Sequence, residues 1–166
     1  MSVVINGTGS ISGLSNVGGI ASAQSGSVIQ VVNATTSTNV TSSTSTYVDT
    51  TLTATITPQF STSKILVLVN QNGVGRNGTA VSEDMKIKLV RNGVDIAGMY
   101  QYAMYTGTSL PFRGATYSLS YLDSPATTSA TTYKTQFAAA ENAGTVQVQQ
   151  DAGNSLSTII LMEIAA

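Results

Sequence analysis

SKILVLVN, residues 63–70, is an almost unbroken run of β-branched and aliphatic side chains. It is far shorter than the roughly 20 apolar residues a membrane-spanning helix needs. Ile65, Leu66, Val67, Leu68 and Val69 together predict a central strand that buries both faces. Pro58 and Ser61-Thr62-Ser63 close the strand before it. Asn72-Gly73 is expected to turn the chain after it, opening a loop over 71–82.

Working outward, the flanking segments alternate instead of running solid. Tyr47 to Thr57 sets Val48, Leu52, Ala54 and Ile56 against Thr51, Thr53, Thr55 and Thr57, the pattern of a half-buried strand with a threonine-lined outer face. Asp84 to Arg91 puts Met85, Ile87 and Leu89 inward and Lys86 and Lys88 outward. Asn92-Gly93 then predicts a two-residue hairpin, because a type I′ turn needs positive φ at both central residues. Further strands are expected over 26–33, 114–122, with Tyr117, Leu119 and Tyr121 on one face, and 130–139, with Tyr133, Thr135, Phe137 and Ala139 on one face. Short strands at 145–149 and 157–166 follow, the last apolar enough to be central or interfacial. Residues 34–46 read as a polar strand or a loop. Eight to ten short strands without a helix predict an all-β fold, an antiparallel β-sandwich of jelly-roll type.

Residues 1–25 stand apart and are expected to form an extended anchoring arm ahead of a sandwich domain at 26–166. They are rich in Gly and Ser, and no charged side chain occurs before Asp49. Val3, Ile5, Ile11, Leu14, Val17 and Ile20 are too apolar for a plain spacer, and Gly13, Gly18 and Gly19 argue against a helix.

Composition narrows the chemistry. Of the 166 residues 42% are apolar, only 9% are charged, and Ser and Thr fill roughly a quarter. Soluble domains carry about a quarter charged residues. So uncharged a chain depends on hydroxyls and amides for solubility, or covers its surface in an assembly. With no His and no Cys, imidazole or thiolate metal sites, disulfides and Ser-His-Asp or Cys-His catalysis are excluded. The seven Lys and Arg are scattered, which argues against nucleic-acid binding. No run is long enough for membrane insertion, and MSVVINGTGS lacks the basic and apolar regions of a signal peptide. Asp49, Glu83, Asp84, Asp95, Asp123, Glu141, Asp151 and Glu163 are the acids from which a carboxylate-pair enzyme would draw, but they read as turn caps and surface charges. GTGSISG at 7–13 lacks the helix and Lys of a phosphate loop. No enzyme activity, cofactor or metal is expected.

The recognition-like stretch is MYQYAMYTGTSLPFR, residues 99–113. Tyr100, Tyr102, Tyr105, Phe112 and Arg113 are of the types enriched at interface cores, and are expected to meet a neighbouring subunit or a receptor, the plainer alternative being that they pack the sandwich itself.

GSVIQVV (26–32), YVDTTLTATITP (47–58), SKILVLV (63–69), LDSPATTSATTYK (122–134) and STIILMEIA (157–165) together resemble a small β-domain of tail-fibre-like virion proteins of tailed bacteriophages. VVINGTGSISGL, near the start, is similar to the N-terminal tails of such proteins. The resemblance covers nearly the whole chain, and 122–134 is its most specific part. It implies a structural virion protein, made in the host cytoplasm, usually a homotrimer, that contributes to host attachment. Its partners would be itself, other virion proteins through the arm, and a host-surface saccharide or protein. The short stretch ahead of the domain fits a capsid decoration (head-fibre or cement) protein comparably well. The resemblance transfers no catalytic or binding residue.

Overall fold

The computed structural model of the chain describes residues 24–77, 84–100, 112–140, 144–151 and 153–166. Ten strands follow in order: β1 (Val28–Thr36), β2 (Val40–Ser42), β3 (Val48–Ile56), β4 (Lys64–Asn77), β5 (Met85–Arg91), β6 (Val94–Tyr100), β7 (Phe112–Asp123), β8 (Thr131–Ala139), β9 (Thr145–Val148) and β10 (Ser157–Ile164). No helix occurs among the described residues. All pairings are antiparallel, and two sheets pack face to face as a β-sandwich.

The first sheet is built on β4. β10 lies along one edge of β4, with β1 beyond it, and β7 lies along the other edge. From Gly75 on, β9 takes the place of β10 beside β4, and β2 pairs with β9. The second sheet runs β3-β8-β5-β6.

β4 takes up the SKILVLVN stretch from Lys64 onward, and its inner face matches expectation: Ile65, Val67 and Val69 are buried. Its outer face does not. Leu66 and Leu68 are only half-buried, because no layer covers the first sheet on that side among the described residues. Asn72-Gly73 also departs from expectation. The strand passes through it to Asn77, and the register against β7 shifts between Gln71 and Val74. The dipeptide is a bulge and not a turn. Gly73 has φ +59°, and its carbonyl accepts from Gln150 N at 3.0 Å. A Cβ there would sit 2.5 Å from Gln150 N and 2.7 Å from Ser155 Oγ. Asn92-Gly93 is the expected hairpin, with φ of 46° and 85° and Arg91 facing Val94.

Two apolar clusters fill the sandwich. One gathers Leu52, Ile56, Ile65, Val67, Leu89, Tyr133, Ile159 and Leu161; the other gathers Val74, Met85, Ile87, Phe137, Val146 and Val148. Buried polar residues join the two sheets. Thr50 of β3 hydrogen-bonds Thr135 of β8, and Thr135 Oγ1 donates to Gln71 Oε1 of β4 at 2.9 Å. Gln71 Nε2, Asn72 N and Gln149 Nε2 all donate to Ser157 Oγ of β10, at 3.1, 2.9 and 3.0 Å.

Two further clamps hold the ends. Asp123, expected as a turn residue, closes β7 and takes a two-pronged bond from Arg91 Nη1 of β5, at 2.8 and 2.7 Å, plus the Tyr133 hydroxyl of β8 at 2.7 Å. Burial, and then this carboxylate, push the Tyr133 phenol far above its ordinary range. Glu163 of β10, fully covered from solvent, accepts from Gln30 Nε2 at 2.5 Å and from the backbone N–H groups of Gln59 and Phe60 at 2.7 and 3.3 Å. It thereby fixes the β3–β4 connection to β1 and β10.

Two predictions follow from these contacts. Gly73→Ala meets both a left-handed φ and a backbone clash, so it should cost more than Gly93→Ala, which meets open space and pays only conformational strain of about 1–3 kcal/mol. Urea midpoints of the two variants measure the difference, and equal midpoints would contradict the bulge. Burial raises the Glu163 pKa, but its hydrogen bonds outweigh burial and hold it below the ordinary value. A depressed folded pKa contributes stability that is complete above the unfolded pKa of about 4.3 and is lost as pH falls through the folded value. Glu163→Gln should therefore be less stable at neutral pH and lose less stability on acidification, as read from melting temperatures across that range.

Candidate functional site

The outer face of the second sheet carries the expected row of threonines, broken by a fault in β3. The β3–β8 register shifts between Asp49 and Thr53, and Thr51 within that bulge has φ 69°. A β-branched residue in the left-handed region is strained. Thr51 Oγ1 is held by Thr36 Oγ1 of β1 at 2.8 Å, and Leu52 N donates to Thr50 Oγ1 at 3.1 Å.

The bulge forms one wall of an open cleft of about 440 Å³. Asp49, Thr51 and Thr53 line that wall, with buried Leu52 beneath. Thr132 and Lys134 of β8 form the floor, and the Asn92-Gly93 turn forms the opposite wall. The turn is locked to the floor: Asn92 N donates to Thr132 O at 2.9 Å, and Thr132 N donates to Asn92 Oδ1 at 2.8 Å. Lys134 Nζ and Gln136 Nε2 donate to the two Asp49 carboxylate oxygens at 2.8 and 2.7 Å. Partial burial raises the Asp49 pKa, but these two donors outweigh it and hold the carboxyl below its usual range. The cleft thus offers hydroxyls, an ammonium and an ionised carboxylate, a set suited to hydrogen-bonding a polar, uncharged ligand.

Of the other acids named from sequence, Asp95, Asp123 and Glu163 are engaged structurally, and Glu83 and Glu141 lie outside the described residues. Lys88 bridges Asp95 at 2.8 Å while lying 4.1 Å from the centre of the Tyr47 ring. Asp123 and Glu163 serve the clamps described above. Among the described residues no three acidic side chains gather to hold a metal ion.

Of the aromatic segment, the structure places the backbone of Tyr100 at the end of β6, opposite Ile87, and of Phe112 at the start of β7, opposite Arg76, with Arg113 next to it. Tyr102 and Tyr105 lie outside the described residues, as do Val3, Ile5, Ile11, Leu14, Val17 and Ile20 of the expected arm. The cleft was not anticipated. The only sequence signal for it was the unbroken threonine alternation of β3, which gives no hint of a bulge.

No family model matches the chain, and no curated protein matches it.

Thr51→Gly should hold or raise the melting temperature, because relief of about 1–3 kcal/mol of strain offsets the usual glycine cost of about 0.5–1 kcal/mol. Thr53→Gly, in regular strand, should lower it. A larger fall for Thr51→Gly would show that the Thr36 hydrogen bond, not the backbone, governs the site.

Proposed function

We propose that this is a non-enzymatic structural protein of a tailed-bacteriophage virion, tail-fibre-like, that contributes to host attachment. The observation that carries the reading is the strand order. β1-β10-β4-β7 facing β3-β8-β5-β6 is the winding expected of a jelly roll, with β2 and β9 added at one end. Jelly rolls serve as viral capsid and lectin domains. The resemblance of five stretches to tail-fibre-like proteins supports the same reading.

On this reading the protein is a homotrimer, with the Tyr100–Arg113 segment at the subunit contact. The cleft between the β3 bulge and the Asn92-Gly93 turn is the place for a host-surface saccharide. Its hydroxyl and amide lining matches the donors and acceptors of a polyhydroxylated ligand.

Quantitative mass spectrometry of purified virions tests the assignment. Tens of copies per particle mark a tail protein, and hundreds mark a capsid decoration protein. Absence from the particle removes the proposal. Light scattering of the isolated protein should give three times the chain mass, and a monomer would remove the trimer.

A further inference from the structure

The outer face of the first sheet carries an apolar stripe that the fold leaves uncovered among the described residues. Val31 of β1 faces Met162 of β10, Met162 faces Leu66 of β4, and Leu66 faces Leu122 of β7. These four side chains cross the sheet in a single row. Ile160 and Leu68 adjoin them in the next row, and Val28 and Ile164 adjoin them on the other side. Val28, Val31 and Leu122 are more than half exposed, at 52%, 55% and 53%, and the others are half-buried. Lys64 is the charged residue at the margin of the patch, opposite Ile164.

Three facts select the occupant. The first is size. Four strands about 4.8 Å apart, and two to three side-chain rows about 7 Å apart, give a footprint on the order of 300 Å². A stable subunit interface covers about 800 Å² on each partner. The patch suits a single segment better than a second whole domain. The second is continuity. The described chain starts at Gln24, turns through Gly26 at φ 85°, and enters β1 with Gly26 N bonded to Ala165 O at 2.8 Å. Val28 therefore sits on the patch at the point where residues 1–23 join the domain. From there to Val31 is about 10 Å along the strand. The third is chemistry. Residues 1–23 contain no charged side chain, and Ile11, Leu14, Val17 and Ile20 recur every third residue among Gly and Ser. Three is the period of an extended polyproline II chain, in which such residues share one face. An uncharged, singly apolar segment matches an uncharged apolar stripe.

We propose that residues 1–23 cover the outer face of the first sheet of their own chain, with apolar side chains from among Ile11, Leu14, Val17 and Ile20 laid on the stripe that includes Val31, Met162, Leu66 and Leu122. This does not rest on the virion assignment and would hold for any role of the domain.

The test places a photo-crosslinking amino acid at Leu122 in the full chain and identifies the captured peptide by mass spectrometry. A peptide from residues 1–23 is expected. In a mixture of isotopically light and heavy protein the products should be light–light and heavy–heavy. Mixed products assign the face to a second copy and overturn the proposal, as does a captured peptide from elsewhere.

A second measurement uses the absence of cysteine. A thiol introduced by Leu122→Cys should react with maleimide at least about tenfold more slowly than one introduced by Thr53→Cys on the opposite sheet, because reaction must wait for the segment to lift. Changing Ile11, Leu14, Val17 and Ile20 together to Ser should abolish that protection while leaving the melting temperature of the sandwich in place. Equal rates in the parent, or protection that survives the four serines, would defeat the idea.

Discussion

The buried chain of hydroxyls and amides from Thr50 through Thr135 and Gln71 to Ser157 is the constraint on which the sandwich depends. Apolar contacts between two sheets are non-directional, and by themselves allow one sheet to slide over the other. Hydrogen bonds do not. A buried donor or acceptor left without a partner costs about 1–3 kcal/mol, so β3, β8, β4 and β10 meet with few other registers open to them. The Gly73 bulge belongs to the same device. It brings Asn72 N to Ser157, and its backbone accepts from Gln149 and Gln150. The two apolar clusters then pack against positions already set.

Charge is used sparingly and in pairs. Arg91, Lys88 and Lys134 each meet a carboxylate, and Glu163 is held in its ionised form by amide donors and not by a cation. The exposed pairs add little to stability. The Arg91–Asp123–Tyr133 group is different, since Asp123 and Tyr133 are buried and the group ties the end of β7 to the other sheet. The threonines of β3 do for the outer face of the second sheet what charged residues do on most domains: they keep it wet without fixing a net charge.

Most of the fold was legible because its strands alternate. Met85, Ile87 and Leu89, and Tyr133, Thr135 and Phe137, fall inward as their period demands, and Asn92-Gly93 forms the hairpin its φ preference requires. Asn72-Gly73 shows where local signals stop. The same dipeptide makes a turn at 92–93 and a bulge at 72–73, and the difference lies in β7 and β9, which continue alongside β4 past Gly73. Leu66 and Leu68 misled for a related reason, since an apolar residue marks a burial preference and not the layer that satisfies it. The cleft was hidden altogether. Thr51 looks in sequence like every other threonine of β3, and its positive φ arises only from the mismatch with β8.

The position of β4 also orders events during synthesis. Its neighbours β7, β9 and β10 all lie downstream, and Val69 waits for Leu119 on one edge and Ile159 on the other. Until β7 and β10 have been made, ILVLV is an unpaired, β-prone run of the kind that stacks with its own copies. Lys64 is the charge that guards its leading end, and no charge follows until Arg76. Pairing this distant in sequence makes folding slow. The strand that gives the mature sandwich its spine is, for the growing chain, its most exposed liability.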